Sequence, residues 1–206
     1  RMEGTISTIE ELYRLEAEED AGAPDPYREA RNDDIETFLY SRALRNAQQA
    51  LAEGAPLSEH LIRTAHQQLL FIGRGARKRP GSYKVEQNYI GDDRRRKIYY
   101  VPIAPEHLAP AMGELVRFMS ESKMRPLIRI ALTHVEFEAL HPFEDGNGRI
   151  GRMLITLMLW KLGIISQPNF FVSGYFEEHK DEYIERMRAV SADGDWSGWI
   201  VFFLQA

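Results

Sequence analysis

Hydrophobic residues recur at helical spacing along most of the chain. After Ser58, apolar side chains return every three or four positions and share one helix face: Leu61, Ile62, Ala65, Leu69 and Leu70. The same pattern predicts helices over residues 8–19, 33–53, 58–70, 106–121, 126–140, 148–162, 177–190 and 196–204. Ser58, and either Asp33 or Asp34, are the expected N-caps of two of these helices.

A different pattern occupies residues 85–101. Residues 85–90 and 97–101 are rich in β-branched and aromatic side chains, and Gly91, Asp92 and Asp93 lie between them. Pro102 ends the second segment. We therefore predict a β-hairpin here, and a fold class that is mainly α, a helical bundle with a small β-hairpin.

The length and composition suit one globular domain. The chain has 206 residues, of which 44% are hydrophobic. Gly22, Pro24 and Pro26 interrupt the helical pattern after the first predicted helix. We therefore expect an appended N-terminal helix segment over residues 1–23 and the main domain over residues 24–206.

Charge and cysteine content restrict the partners. A net charge of −5 at pH 7 argues against nucleic-acid binding. The absence of cysteine excludes disulfides and thiolate chemistry and favours the cytoplasm. The longest apolar stretches, such as residues 153–160, are too short to cross a bilayer, and no basic and apolar leader opens the sequence. We expect a cytoplasmic protein without a membrane or nucleic-acid partner, and a homo-oligomer is left open.

The run from His141 to Arg152 carries the strongest chemical signal. Pro142 disfavours helix at the residue before it, so the preceding helix should end near His141. Gly146 and Gly148 let the main chain turn sharply and approach a ligand before the next helix begins. The first N–H groups of that helix have no partner within it, and they form an anion site.

The charged side chains of this run indicate which anion binds. Arg149 and Arg152 lie on the first helical turn, where the helix dipole alone would favour acids, so we expect a polyphosphate there. Asp145 offers an oxygen ligand that suits Mg²⁺. His141 is the side chain able to accept a proton near neutral pH. The alternative is a glycine-rich turn that only joins two helices, and it would not require these groups within twelve residues.

The run resembles the signature of the Fic (Fic/Doc) family, His-Pro-Phe-x-Asp/Glu-Gly-Asn-Gly-Arg-x-x-Arg, and it matches every fixed position. The likeness extends over residues 56–204. Arg74-Gly75, Pro80-Gly81 and Tyr89-Ile90-Gly91 resemble the approach to the hairpin that such proteins use as a flap. Residues 173–183, 194–196 and 202–204 resemble the closing helices of the family domain.

The resemblance implies a protein adenylyltransferase. His141 would take the proton from a Tyr, Thr or Ser hydroxyl of a target protein, the hydroxyl would attack the α-phosphorus of ATP, and pyrophosphate would leave. Asp145 is implied to hold Mg²⁺, and Phe143 to anchor the loop in the core. The nucleotide is assigned to the whole segment that follows, namely Gly146, Asn147, Gly148, Arg149, Ile150, Gly151 and Arg152.

Within that segment the resemblance implies separate tasks. Gly146, Asn147 and Gly148 would form the anion hole, with the Asn147 side chain on the α-phosphate. Arg149 and Arg152 would neutralise the β- and γ-phosphates. Intact Gly148 and Arg149 argue against the Doc-like relatives that act as kinases.

Two further regions follow from the resemblance. A target segment is expected to pair with the flap, residues 85–101, as an added strand. The charged tip of this flap, residues 92–97, would otherwise only face water. Tyr175 and Tyr183 either pack on the adenine or belong to the aromatic core.

Residues 2–5 resemble the inhibitory helix of many Fic proteins. Glu3 would pair with Arg152 and occupy the place of the γ-phosphate, because a carboxylate competes with phosphate for the same guanidinium. The alternative is an exposed acid on a terminal helix.

Other functions stay open or fail. Keeping Glu3 and His141 also allows the reverse reaction, removal of AMP, and a module that binds nucleotide without chemistry is a weaker alternative. A zinc hydrolase does not fit, because His134 and His141 are seven positions apart and Pro142 interrupts the helix.

Overall fold

The fold is a helical bundle with one small hairpin, as predicted. A computed structural model of the protein describes residues 9–21, 27, 31–73, 75–92, 97–168 and 172–206. The elements are α1 (Ile9–Asp20), α2 (Asn32–Ala52), α3 (Glu59–Leu69), β1 (Ile90–Asp92), β2 (Lys97–Tyr100), α4 (Pro105–Glu121), α5 (Pro126–Leu140), α6 (Asn147–Lys161), α7 (Ser173–Glu178), α8 (Lys180–Asp193) and α9 (Trp196–Gln205). None of the described helices is long and apolar enough to cross a membrane.

Helix α6 lies at the centre of the bundle. Every residue from Ile150 to Leu159 is buried, which is the pattern of a helix that is covered on all sides. Helices α2, α3 and α5 pack against it, and α9 packs on α5. The Trp199 indole of α9 donates a hydrogen bond to the main-chain oxygen of Ala131 in α5, at 2.8 Å. The bundle therefore fixes the first turn of α6, where the 141–152 run enters.

The N-terminal helix packs on α2 through a small separate cluster. Its buried members are Leu15, Tyr27, Ile35, Phe38 and Leu39. Arg42 of α2 pairs with Glu19, and Arg45 pairs with Glu16 at 2.8 Å. The helix predicted over residues 8–19 is confirmed as α1, and it packs on α2. Glu3 lies outside the described residues.

The helix starts are predicted correctly at α3 and wrongly at α2. The Leu61 amide donates to the Ser58 hydroxyl at 3.3 Å, so Ser58 caps α3 as expected. Arg31, not Asp33 or Asp34, precedes α2, and its side chain makes no cap hydrogen bond. Asp34 lies inside the first turn and accepts two hydrogen bonds from the Arg31 guanidinium, at 3.0 and 3.1 Å.

The hairpin is shorter than its sequence pattern. β1 and β2 pair antiparallel, with Ile90 opposite Tyr100 and Asp92 opposite Lys97. Residues 85–89 were expected in the first strand and lie outside it, and the Asn88 side chain of this segment donates hydrogen bonds to the His141 and Phe143 oxygens in the turn after α5. At Gly91 an added Cβ would lie 2.4 Å from the main-chain oxygen of Lys97, so the close strand approach requires glycine.

The helix expected over residues 177–190 is wrong as one element. The structure has two helices here, α7 and α8, with His179 between them. The His179 imidazole bonds through Nδ1 to the main-chain oxygen of Tyr175, at 3.0 Å. A side chain that competes for a helical carbonyl in this way favours a helix end.

A buried ion pair joins α2 to α6. The Arg149 guanidinium lies 3.3 Å from the Glu36 carboxylate, and both side chains are more than 90% buried. A second carboxylate, Asp145, lies 3.7 Å from the same guanidinium. Removing one partner of such a pair leaves a buried charge with less compensation.

We predict that Glu36→Ala lowers the free energy of unfolding by on the order of 3 kcal/mol, because the buried Arg149 charge loses the Glu36 carboxylate that lies 3.3 Å from it. Chemical denaturation measures the change. The matched control is Glu53→Ala, at the exposed end of the same helix, which should change stability by less than about 0.5 kcal/mol. Equal effects of the two substitutions would contradict a structural role of the pair.

Candidate functional site

His141 lies at the turn that leaves α5. It adopts a left-handed conformation, φ 46° and ψ 61°, and its amide still bonds to the Phe137 oxygen at 3.1 Å. A residue other than glycine pays on the order of 1–2 kcal/mol in this region, so the surroundings must hold it there. The helix therefore ends where Pro142 predicted, and His141 lines a cavity.

The environment keeps His141 in the form of a base. The pKa of its imidazole is lowered from 6.5 to about 4, chiefly by burial, and the nearby Lys84 ammonium acts in the same direction. A hydrogen bond with the main chain at Glu138 and the Asp145 carboxylate act in the opposite direction. The imidazole is consequently neutral at pH 7 and able to accept a proton.

The loop after His141 is closed by Asn147. The Phe143 amide donates to Asn147 Oδ1 at 2.8 Å, and Asn147 Nδ2 donates to the Phe143 oxygen at 2.8 Å. Phe143 is fully buried beneath this ring of bonds. Asn147 is itself almost fully buried and is not among the residues that line the cavity, so its contact with the α-phosphate stays a prediction.

His66 of α3 supports the same loop from below. Its ring stacks on Phe143 with centroids 3.7 Å apart. The Gly81 amide donates to Nδ1 at 2.8 Å, so the proton sits on Nε2, which donates to the main-chain oxygen of Asp145 at 2.9 Å. Burial lowers the pKa of His66 to about 4, and the ring is neutral at pH 7. Sequence reasoning missed His66, because one histidine on an amphipathic helix has no local signature.

The two arginines of the run point to different places. At Gly148 an added Cβ would lie 3.0 Å from Arg152 Nη1, so Arg152 folds back over the start of α6, as predicted, and lines the cavity. Arg149 is instead held by Glu36 and lies beside Asp145. Sequence reasoning missed Glu36, which lies 113 positions before Arg149.

The cavity has a volume of about 730 Å³, within the range of small-molecule sites. One wall is the hairpin, with residues 90–91 and 99–100. The opposite wall is α8, with Lys180 and Arg188 among its residues. The floor contains Glu138, His141, Gly148 and Arg152. Cations thus face the cavity from two elements, which suits a ligand with several phosphates.

Some predicted nucleotide residues lie elsewhere. Ile150 is buried in the core. At Gly151 an added Cβ would lie 2.4 Å from a Glu138 oxygen, so this glycine serves helix packing. Tyr175 stacks on His179, with centroids 4.1 Å apart, and it is not among the residues that line the cavity. Its contact with adenine stays a prediction that these contacts do not support.

Tyr183 lies between the cavity and the core. It lines the cavity, is buried, and its hydroxyl lies 2.9 Å from His134 Nε2. His134 itself belongs to the aromatic cluster around Trp199 and Phe176, so it is a buried core residue as expected.

Asp145 fits a magnesium ion that is shared with a phosphate. Its carboxylate is partly exposed, and Oδ1 accepts a hydrogen bond from the Gly146 amide at 2.7 Å. Within the described ranges no group of three or more acidic, histidine or cysteine side chains forms a metal site. Mg²⁺ in proteins is commonly held by one or two carboxylates together with substrate phosphates and water. The donor set therefore fits that kind of site.

We predict a loss of stability on mild acidification that comes from the buried histidines. The pKa of His66 is 6.5 in its ordinary state and about 4 in the fold, so the unfolded chain binds the proton more tightly. The stabilising contribution is complete above pH 6.5 and is lost as the pH falls from 6.5 towards 4. For His66 it amounts to about 3 kcal/mol.

Urea unfolding between pH 7.5 and pH 4.5 measures this effect. His66→Gln should be less stable than the unmodified protein at pH 7.5, and should lose less stability on acidification. An unchanged pH dependence in His66→Gln would contradict the expectation. His134 and His141, whose pKa values are lowered to about 3 and about 4, should keep part of the dependence.

The region of the chain that matches a known family contains the 141–152 run. Residues 56–159, just over half of the chain, match the model of the Fic/DOC family. Protein adenylyltransferase fic-1 of Caenorhabditis briggsae is 30% identical over 86 residues, which are 40% of this chain and 16% of that protein. Protein adenylyltransferase Fic of Drosophila ananassae is 37% identical over 79 residues, 35% of this chain and 16% of that protein. The match thus spans about a sixth of these relatives, and their names support nucleotidyl transfer at the level of the family.

Solved structures agree on the fold. A Fic domain containing signaling protein from Bacteroides thetaiotaomicron gives a TM-score of 0.72 at 20% identity, covering 99% of this chain and 76% of that one. Fic-1 of Caenorhabditis elegans gives 0.66 at 22% identity, covering 99% of this chain and 56% of that one. The bundle with its small hairpin is therefore of the Fic type, and the chain belongs to the Fic/DOC family.

Proposed function

We propose that the protein transfers AMP from ATP to a Tyr, Thr or Ser hydroxyl of a target protein, with His141 as the general base. The observation that carries the proposal is the neutral imidazole of His141 in a cavity that Gly148 and Arg152 of α6 also line. The names of the relatives, protein adenylyltransferases, support the same reaction.

The reaction needs one proton transfer and one displacement. His141 accepts the proton of the target hydroxyl as its oxygen bonds to the α-phosphorus. The bond from the α-phosphorus to the bridging oxygen breaks, and pyrophosphate leaves with the electron pair. Arg152 and the N–H groups of residues 147 and 148 hold the phosphates, because positioning and charge neutralisation supply most of the catalysis in such reactions. Arg149 acts from its place beside Asp145.

Asp145 would hold Mg²⁺, which offsets the charge of the α- and β-phosphates when it is bound. The Asp145 main chain is fixed by His66, and this bond sets the direction of the carboxylate. Ion and nucleotide are thus expected to bind together.

The protein substrate is expected on the flap, residues 85–101. Val85, Tyr89, Ile98 and Val101 are apolar and more than half exposed. An extended target segment could add to the hairpin there and cover these side chains. Residues 93–96 of the flap tip lie outside the described residues.

Auto-inhibition by Glu3 is part of the proposal. Arg152 lines the cavity, and its charge also reaches Tyr40 of α2. α1 packs on α2, the helix that carries Tyr40, and Glu3 precedes the first residue of α1 by six positions. The proposed division of the chain separates a regulatory segment, residues 1–23, from the main domain, residues 24–206. We keep a cytoplasmic location, supported by the absence of cysteine, and leave a homo-oligomer open.

We predict label transfer from ATP carrying the label at the α-phosphate to the protein itself, in the presence of Mg²⁺. The unmodified protein should label weakly, Glu3→Gly strongly and His141→Ala not at all. Glu3→Gly removes the carboxylate that would compete with the γ-phosphate for Arg152, and His141→Ala removes the base.

The matched control is Glu10→Gly, the same substitution at an exposed glutamate of α1. It should label as weakly as the unmodified protein. Strong labelling of Glu10→Gly as well would contradict a specific role of Glu3. Release of AMP from a modified protein, without transfer by any variant, would instead favour the reverse reaction.

A further inference from the structure

Two residues before the hairpin hold the main chain around His141. Lys84 and Asn88 donate hydrogen bonds to four consecutive carbonyl oxygens, those of residues 140–143. We call this set of bonds the clasp. Asn88 belongs to the segment that the sequence pattern assigned to a strand, and Lys84 directly precedes that segment.

Lys84 and Asn88 each donate two of the four hydrogen bonds of the clasp. The Lys84 ammonium donates to the Leu140 oxygen at 3.2 Å, and the Lys84 amide donates to the Pro142 oxygen at 2.8 Å. Asn88 Nδ2 donates to the oxygens of His141 and Phe143, at 3.0 and 3.1 Å. The two side chains are also joined, because the Lys84 ammonium donates to Asn88 Oδ1 at 2.7 Å.

The clasp acts where the main chain is strained. His141 has a positive φ of 46°, which other residue types than glycine rarely adopt. This backbone conformation determines the direction of the His141 imidazole. The carbonyls on both sides of His141 are fixed by the clasp, so the left-handed conformation is held from outside the loop.

The same segment is continuous with the flap. Asn88 lies two positions before Ile90, the first residue of β1. The neighbouring Gln87 bonds to the Pro102 oxygen at 2.9 Å, just after β2 ends. A displacement of the hairpin base therefore moves the donors that hold His141.

We propose that Lys84 and Asn88 are positioning residues that set His141 for proton transfer and couple its position to the flap. The inference rests on the proposed adenylyl transfer. It predicts that a bound target, by fixing the flap, also fixes the base. Neither residue touches the cavity, so nucleotide binding does not depend on the clasp.

The chain offers a near-isosteric test and a matched control. Asn88→Asp keeps the shape and the acceptor for Lys84, but it cannot donate and turns a carboxylate towards two carbonyl oxygens. Glu86→Ala changes an exposed side chain of the same segment and leaves every bond of the clasp in place. Lys84→Met removes the ammonium and keeps the amide bond to Pro142.

The first measurement is self-labelling in the Glu3→Gly protein, with the rate followed against ATP concentration. Asn88→Asp should lower the saturating rate by on the order of 10- to 100-fold, the effect of a displaced catalytic group, without changing the ATP concentration at half-maximal rate. Lys84→Met should act in the same direction and less strongly. Glu86→Ala should leave the rate and the ATP dependence as they are.

The second measurement is amide hydrogen exchange, which needs no activity. Asn88→Asp should speed the exchange of residues 143–147, and Glu86→Ala should not. If no protein with an intact His141 transfers label, the proposed reaction fails and exchange alone decides on the clasp. Unchanged exchange in Asn88→Asp, or a raised ATP requirement at an unchanged saturating rate, would overturn the inference. Faster exchange at 143–147 with an unchanged saturating rate would also overturn it, because the loop would then not position the base.

Discussion

The short connection between α5 and α6 is the constraint on which the site depends. Both helices are buried against each other, and only six residues, 141–146, join them. So tight a turn leaves its main-chain polar groups without helical partners, although they lie inside the protein. Side chains outside this connection form hydrogen bonds with its main-chain groups, and they belong to Lys84, Asn88, His66 and Asn147. The catalytic geometry is therefore a product of long-range hydrogen bonds, and the turn sequence alone does not determine it.

Burial gives the site its electrostatic character as well. The low-dielectric surroundings that make the His141 imidazole neutral also strengthen the attraction of each cation for phosphate. Burial lowers the pKa of the Lys84 ammonium to about 8, so it remains mostly protonated at pH 7. Its charge adds to burial, the main cause, in lowering the pKa of the neighbouring His141 imidazole, and its hydrogen bonds hold the loop in place. One side chain thus links the position of the base to its protonation state.

The local parts of this arrangement could be predicted from the sequence. Helical periodicity gave α4, α5, α6 and α9 within one or two residues, and the 141–152 run predicted the turn between α5 and α6. Contacts between distant segments could not be predicted. Residues 85–89 have the composition of a strand, yet the Asn88 side chain in this segment donates to the turn after α5. His66 and Glu36 lie on amphipathic helices, where nothing local distinguishes a residue that supports a loop from one that only fills the core.

The separation of the two arginines bears on how a carboxylate could inhibit the site. Positions three apart on a helix point in directions about 60° apart, so the same turn can serve two partners. Arg149 is already engaged by Glu36, and an entering carboxylate would meet like charge there. Arg152 lines the cavity where phosphate is expected. An inhibitory glutamate that is to compete with ATP therefore has its effective partner in Arg152, while the Glu36 pair keeps Arg149 in place in both states.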